Sequence, residues 1–190
     1  FASGSGSNAE NIIRYFNYGP SASVDNPIRV AAVFCNRSDA PVIERSRRLE
    51  VPVEIFNKSD LESGRVAQMA ASYGAQALIL AGFLMKIPAS LIEAYPQAII
   101  NIHPALLPKY GGKGMYGHHV HEAVVAAGEK ESGITIHLAD NLYDHGRILF
   151  QARCEVLPCD TPLDVAAKIH ILEMENFPEV IDGYLSKLLG

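Results

Sequence analysis

Asn101 and His103 stand two residues apart at the end of an apolar run, residues 98–102, and Pro104 follows directly. On a strand, residues i and i+2 share a face, so the amide and the imidazole project together. Pro104 ends the ladder and fixes the exit of the chain. The carboxyl edge of an α/β sheet is where such residues meet a ligand. An amide donor beside an imidazole suits acyl chemistry: one group polarises a carbonyl, the other carries charge or a proton. Asp144 lies farther on, in a loop before another apolar run. A carboxylate brought to the same edge raises the pKa of an imidazole and orients it. His137 alternates with apolar neighbours in residues 134–138 and reads as a core histidine.

A second constellation opens the chain. Gly4-Ser5-Gly6-Ser7-Asn8-Ala9 fits G-x-G-x-x-A at the entry to a helix, where backbone N–H groups and the helix dipole favour an anion. The motif alone suggests a dinucleotide site, with Arg37 after the next strand placed for a 2′-phosphate, so an NADP-dependent oxidoreductase is one reading. The hydroxyls of Ser5 and Ser7 and the amide of Asn8 suit a terminal phosphomonoester better. Residues 111–117 hold four of the 15 glycines, a density that implies close approach to a ligand or a mobile flap. His118, His119 and His121 match no standard zinc spacing, and no metal is expected there.

These groups need a scaffold. Apolar runs of strand length recur at residues 29–35, 76–81, 98–102, 134–138 and 148–156. The second and third are nearly continuous, as in strands covered on both faces. Helical patterns occupy residues 8–18, 38–49 and 60–73, and residues 161–190 read as one long helix, or two broken near Pro178. The alternation predicts an α/β fold with a largely parallel sheet and helices on both faces. Residues 1–190 read as one domain. Only Phe1 and Ala2 precede the glycine turn, so the first strand is expected to be truncated.

Composition narrows the class. Sixteen basic and 21 acidic residues leave a net charge of −5, which argues against a nucleic-acid-coating surface. No apolar run approaches the ~20 residues that span a bilayer. Cys35, Cys154 and Cys159 show no pairing or metal spacing, which points to a reducing, cytoplasmic setting.

Together, Ser3-Gly4-Ser5-Gly6-Ser7-Asn8, Ala81-Gly82-Phe83, the stretch N-I-H-P-x-L-L-P-K-Y at residues 101–110, and Asp144-x-Gly146 resemble the phosphoribosylglycinamide formyltransferase family. The resemblance spans essentially the whole chain. It implies a Rossmann-like formyltransferase fold with a twisted sheet. It also implies formyl transfer from 10-formyltetrahydrofolate, as cosubstrate, to the amine of glycinamide ribonucleotide in purine biosynthesis, by direct attack through a tetrahedral intermediate. By the same resemblance Asn101, His103 and Asp144 are catalytic, with His103 kept protonated by Asp144. Gly6, Ser7 and Asn8 hold the substrate phosphate, and Glu173 reaches its ribose hydroxyls. Leu84, Met85, Lys86 and Ile87, with Asn101, Asp140 and Asp144, hold the folate. No metal, nucleic acid or membrane is implied, and the enzyme is expected as a monomer or homodimer. A formyltetrahydrofolate hydrolase would use the same Asn, His and Asp, with water as acceptor. A methionyl-tRNA formyltransferase would need an RNA-binding domain and a basic surface.

Overall fold

The structure is a computed structural model that describes residues 1–19, 22 and 28–190. Val33–Cys35 (β1) and Val53–Ile55 (β2) pair in parallel. Leu78–Leu80 (β3), Ile99–His103 (β4), Glu131–Leu138 (β5) and Ile148–Glu155 (β6) form a four-stranded sheet in that order. Phe1 and Ala2 join the two sheets. The N–H of Ala2 donates to Phe34 O at 3.0 Å, and Phe1 O accepts from the N–H of Ala81 at 2.8 Å. These two residues therefore hold a strand position between β1 and β3.

The parallel pattern expected from the sequence holds for β1–β2 and β3–β4, while β4–β5 and β5–β6 are antiparallel. Connectivity explains the change for the last pair. No helix intervenes between β5 and β6, and a parallel return needs a crossover connection. The expected run 29–35 pairs as a strand only over Val33–Cys35, and β2 is a short strand that the sequence pattern does not reveal.

Helices cover both faces. They are α1 (Ser7–Ile13, continued by a π-helical turn at Arg14–Tyr18), α2 (Val42–Arg48), α3 (Lys58–Glu62), α4 (Arg65–Ser72), α5 (Ala89–Ala94), α6 (His118–Ala126) and α7 (Pro162–Leu189). The expected helix 60–73 is two helices, because Gly64 adopts φ 82° between them. Ile100 packs into a core with Ile13, Phe16, Ile136, Ile169 and Phe177. Its neighbour Ile99 packs into another with Phe34, Phe56, Leu78 and Leu91. Successive side chains of β4 thus serve opposite faces, which accounts for its unbroken apolar sequence. Each such fully buried side chain contributes ~1.5–3 kcal/mol. Exposed pairs such as Arg37–Asp39 are screened by solvent and add little, so the cores set the layer packing.

Helix α7 starts at a capping box: the Thr161 hydroxyl accepts from the N–H of Asp164, whose carboxylate accepts from the N–H of Thr161. The helix runs unbroken through Pro178. Proline lacks the N–H that the carbonyl four residues earlier requires. That carbonyl belongs to Met174, and Asn11 Nδ2 of α1 donates to it at 2.8 Å. A side chain from another helix replaces the missing bond and locks α1 to α7. No helix among the described residues is long and apolar enough to cross a membrane.

Candidate active site

The antiparallel register places Asn101 opposite His137 and His103 opposite Thr135. Asn101 Nδ2 lies 3.0 Å from His137 Nε2 and 3.5 Å from Asp144 Oδ1. Asp144 Oδ2 lies 3.5 Å from His103 Nδ1, and Oδ1 lies 3.6 Å from His137 Nε2. The N–H of Gly112 donates to Asp144 Oδ2 at 2.9 Å. Asn101 and His103 therefore converge on the Asp144 carboxylate. His137, read from the sequence as a core histidine, joins them. It is buried, but its Nε2 faces the polar cluster.

The hydrogen-bond partners assign the rings. His103 Nε2 is 2.7 Å from the carbonyl of Tyr110, which can only accept, so Nε2 carries a proton. Its Nδ1 then faces Asp144. His137 Nδ1 likewise donates to Leu138 O at 2.9 Å, leaving Nε2 to accept from the Asn101 amide. Burial pushes the pKa of His103 below its ordinary value, and the opposing pull of Asp144 and the Tyr110 carbonyl does not restore it. The expectation that Asp144 keeps His103 charged thus meets an opposing desolvation of the ring. For Asp144, burial raises the pKa, but the adjacent His137 and His103 rings and the Gly112 N–H together hold it below the usual carboxylate range.

The glycine turn supplies the other end of the site. Gly6 is the N-cap of α1, with φ 78°. A Cβ built on it would lie 2.5 Å from Val42 Cβ, so both backbone conformation and space require glycine. Asn8 Nδ2 donates to Glu173 Oε2 at 2.9 Å, and the buried Asn8 Oδ1 has no hydrogen-bond partner among the described residues. Burial raises the Glu173 pKa, against the Asn8 hydrogen bond and the neighbouring His170. Beneath the turn, the buried Ser3 hydroxyl donates to Asn36 Oδ1 at 2.6 Å and accepts from the N–H of Leu84 at 3.1 Å.

The turn and the carboxylate cluster line one cavity of about 780 Å³. Gly6, Ser7, Asn8 and Glu173 form one arm. Leu84, Met85, Lys86 and Ile87 form another with Asp140, and Asn101, His103 and Asp144 lie in the same lining. Ile87 is mostly committed to the core around Leu91. Asp140 shapes its loop by accepting from the N–H of Leu142 at 2.8 Å and from His145 Nδ1 at 2.8 Å. The glycine-rich segment 112–117 also borders the cavity, as do His118, His121 and His170. Arg37, required by the dinucleotide reading, is outside this lining and pairs with the exposed Asp39.

Residues 1–181 match the family model described as formyl transferase. The chain is 38% identical over 187 residues to a protein of Arabidopsis thaliana named phosphoribosylglycinamide formyltransferase, chloroplastic, covering 95% of this chain and 62% of that protein. A like-named relative from Vigna unguiculata is covered over 59% of its length, so the chain spans about three-fifths of these plant proteins. The phosphoribosylglycinamide formyltransferase of Bacillus subtilis is 34% identical over 194 residues, covering 97% of this chain and 92% of that protein. The crystal structure of phosphoribosylglycinamide formyltransferase from Bacillus halodurans superposes with a TM-score of 0.87 at 31% identity, covering 99% of this chain and 94% of that one. Matched by the family model over residues 1–181 and by the Bacillus subtilis relative over nearly its whole length, the chain belongs to the formyl transferase family.

Proposed function

We propose that this protein transfers a formyl group from a 10-formyltetrahydrofolate donor to the primary amine of glycinamide ribonucleotide, as a step of purine biosynthesis. The observation that carries this reading is the cavity joining an anion-binding turn to the Asn101–His103–Asp144 cluster. Three free cysteines suit a reducing compartment such as the cytoplasm.

The residues fit both substrates. Backbone N–H groups at Gly6, Ser7 and Asn8 suit a phosphomonoester. The unpartnered Asn8 Oδ1 and the Glu173 carboxyl beside it are acceptors for ribose hydroxyls. The half-exposed Leu84 and the exposed Leu142 offer apolar cover for a flat heterocycle, and Asp140 lies nearby to pair with its polar edge.

The donor supplies an electrophilic formyl carbon. The substrate amine forms a new N–C bond to that carbon as electrons move onto the formyl oxygen. His103 Nδ1, protonated from solvent before attack and keeping that proton through the step, and the Asn101 amide stabilise that oxygen. Losing one such donor typically costs ~10²–10³ in rate. Asp144, directly or through water, takes a proton from the attacking amine. The proton passes to the donor nitrogen as its C–N bond breaks. His137 holds Asn101 in line and shares the field of Asp144.

The test is donor consumption followed by absorbance, with and without glycinamide ribonucleotide. Ribonucleotide-dependent loss with a formylated product supports the transferase. Loss at the same rate without ribonucleotide would replace this reading with a hydrolase.

A further inference from the structure

His118, His119 and Glu122 bring their donor atoms within 4.8 Å of one another at the start of α6. The sequence shows no standard zinc spacing here, but helical geometry places residues three and four apart on one face. Glu122 is thereby a carboxylate partner to both histidines. His119 Nδ1 lies 3.6 Å from Glu122 Oε2. Two donors bound at ~2.1 Å to a tetrahedral ion stand ~3.4 Å apart, so that edge of a coordination shell is nearly formed. The rings of His118 and His119 are 3.9 Å apart between centroids, and Tyr116 packs edge-on against His119 at 5.1 Å. His119 and Glu122 have side-chain exposures of 45% and 58%, which leaves an entry path for an ion.

We propose that His118, His119 and Glu122 bind one divalent transition-metal ion of the zinc or nickel class, with water completing the shell. Two imidazoles and one carboxylate select such ions over magnesium or calcium, which prefer all-oxygen sites. A helix N-terminus is the less favourable end for a cation, and the Glu122 charge offsets this. Two further histidine–carboxylate pairs in the cavity region whose histidines are exposed, His145–Asp140 and His170–Glu173, offer two donors each.

The position gives the site a consequence. Its ligands begin immediately after Gly117, at the end of the glycine-rich segment, while Gly112 near the other end donates to Asp144. An ion held at His118 and His119 tethers the far end of a segment that borders the reaction cavity.

Calorimetric titration of chelator-stripped protein with zinc chloride, and separately nickel chloride, tests the proposal. The expected result is one ion per chain with a micromolar Kd, weakened at least ~10-fold in His119→Ala and in Glu122→Gln. Binding should persist in His145→Ala and His170→Ala. Thermal melts verify that each variant is folded, which the surface positions favour. Absence of saturable binding at sub-millimolar metal overturns the site. So does binding that survives both His119→Ala and Glu122→Gln, or equal affinity for magnesium.

Discussion

Replacing Asp144 by asparagine isolates the charge on which the proposed chemistry turns. Asp144 has φ 52°, a left-handed conformation that asparagine also visits readily. The new amide oxygen can still accept the Gly112 N–H, so the loop keeps its anchor. The negative charge 3.5 Å from His103 Nδ1 is lost. Coulomb's law at that distance, with an effective dielectric of ~20, gives about 5 kcal/mol for a charged imidazole. Burial already opposes ionising His103, so the loss falls on the step in which the ring carries charge. At ~1.4 kcal/mol per tenfold, kcat should fall by about 10³. KM for both substrates should stay within about threefold, because little binding contact is removed. The assay is donor absorbance at saturating ribonucleotide, with a melt to show that the variant is folded. Retention of more than a tenth of kcat, or a rise in KM with kcat unchanged, would refute the assigned role.

Three further outcomes follow from the geometry. His103 and His121 are both buried, with pKa values lowered by that burial. The stability tied to them is present above the unfolded value of ~6.5 and lost as pH falls through the lower folded values. Denaturant midpoints should therefore drop as pH falls below about 6.5, by up to ~1.4 kcal/mol per pH unit per group; a flat profile there would contradict this. Gly6→Ala should destabilise by more than ~2 kcal/mol and weaken ribonucleotide binding together, since the added methyl meets Val42 at 2.5 Å; a normal Tm with normal KM would count against it. Asn11→Ala should cost ~1–3 kcal/mol by stranding the Met174 carbonyl, and a double-mutant cycle with Pro178→Ala should show the two changes costing less together than their sum.

The legible part of the site is the part whose geometry is local. Asn101 and His103 share a face because a strand alternates, and the glycine turn announces itself by composition. His137 escapes a sequence reading because its environment, alternating with isoleucine and leucine, is that of a core strand. What brings it into the cluster is the cross-strand register with Asn101, a tertiary fact. The protonation of His103 is hidden for a similar reason: a nearby carboxylate can be inferred from sequence, whereas the depth of burial cannot. In the fold, β2 does not stand out because Pro52 and Glu54 interrupt the apolar residues around it. Whether a helix continues through Pro178 is undecided locally, because the residue that satisfies the stranded carbonyl, Asn11, lies on another helix. Likewise Gly64 splits a helix whose apolar pattern runs on regardless, through a backbone angle that composition does not specify.

Ser3 fixes a length scale. Its one hydroxyl holds Asn36 just after β1 and the N–H of Leu84 in the proposed folate arm, while its own N–H donates to Gly82 O at 3.1 Å. The glycine turn begins at the next residue. In the proposed reaction, the anchor of one substrate and the bed of the other are thus two jaws of a gauge held by these hydrogen bonds. An acceptor whose amine stood one bond farther from its phosphate would arrive about 1 Å or more out of line, a misplacement worth ~10²-fold in rate. Under the proposed reaction, discrimination among phosphorylated amines becomes a matter of reach: the enzyme need not inspect the amine, because only one tether length delivers it.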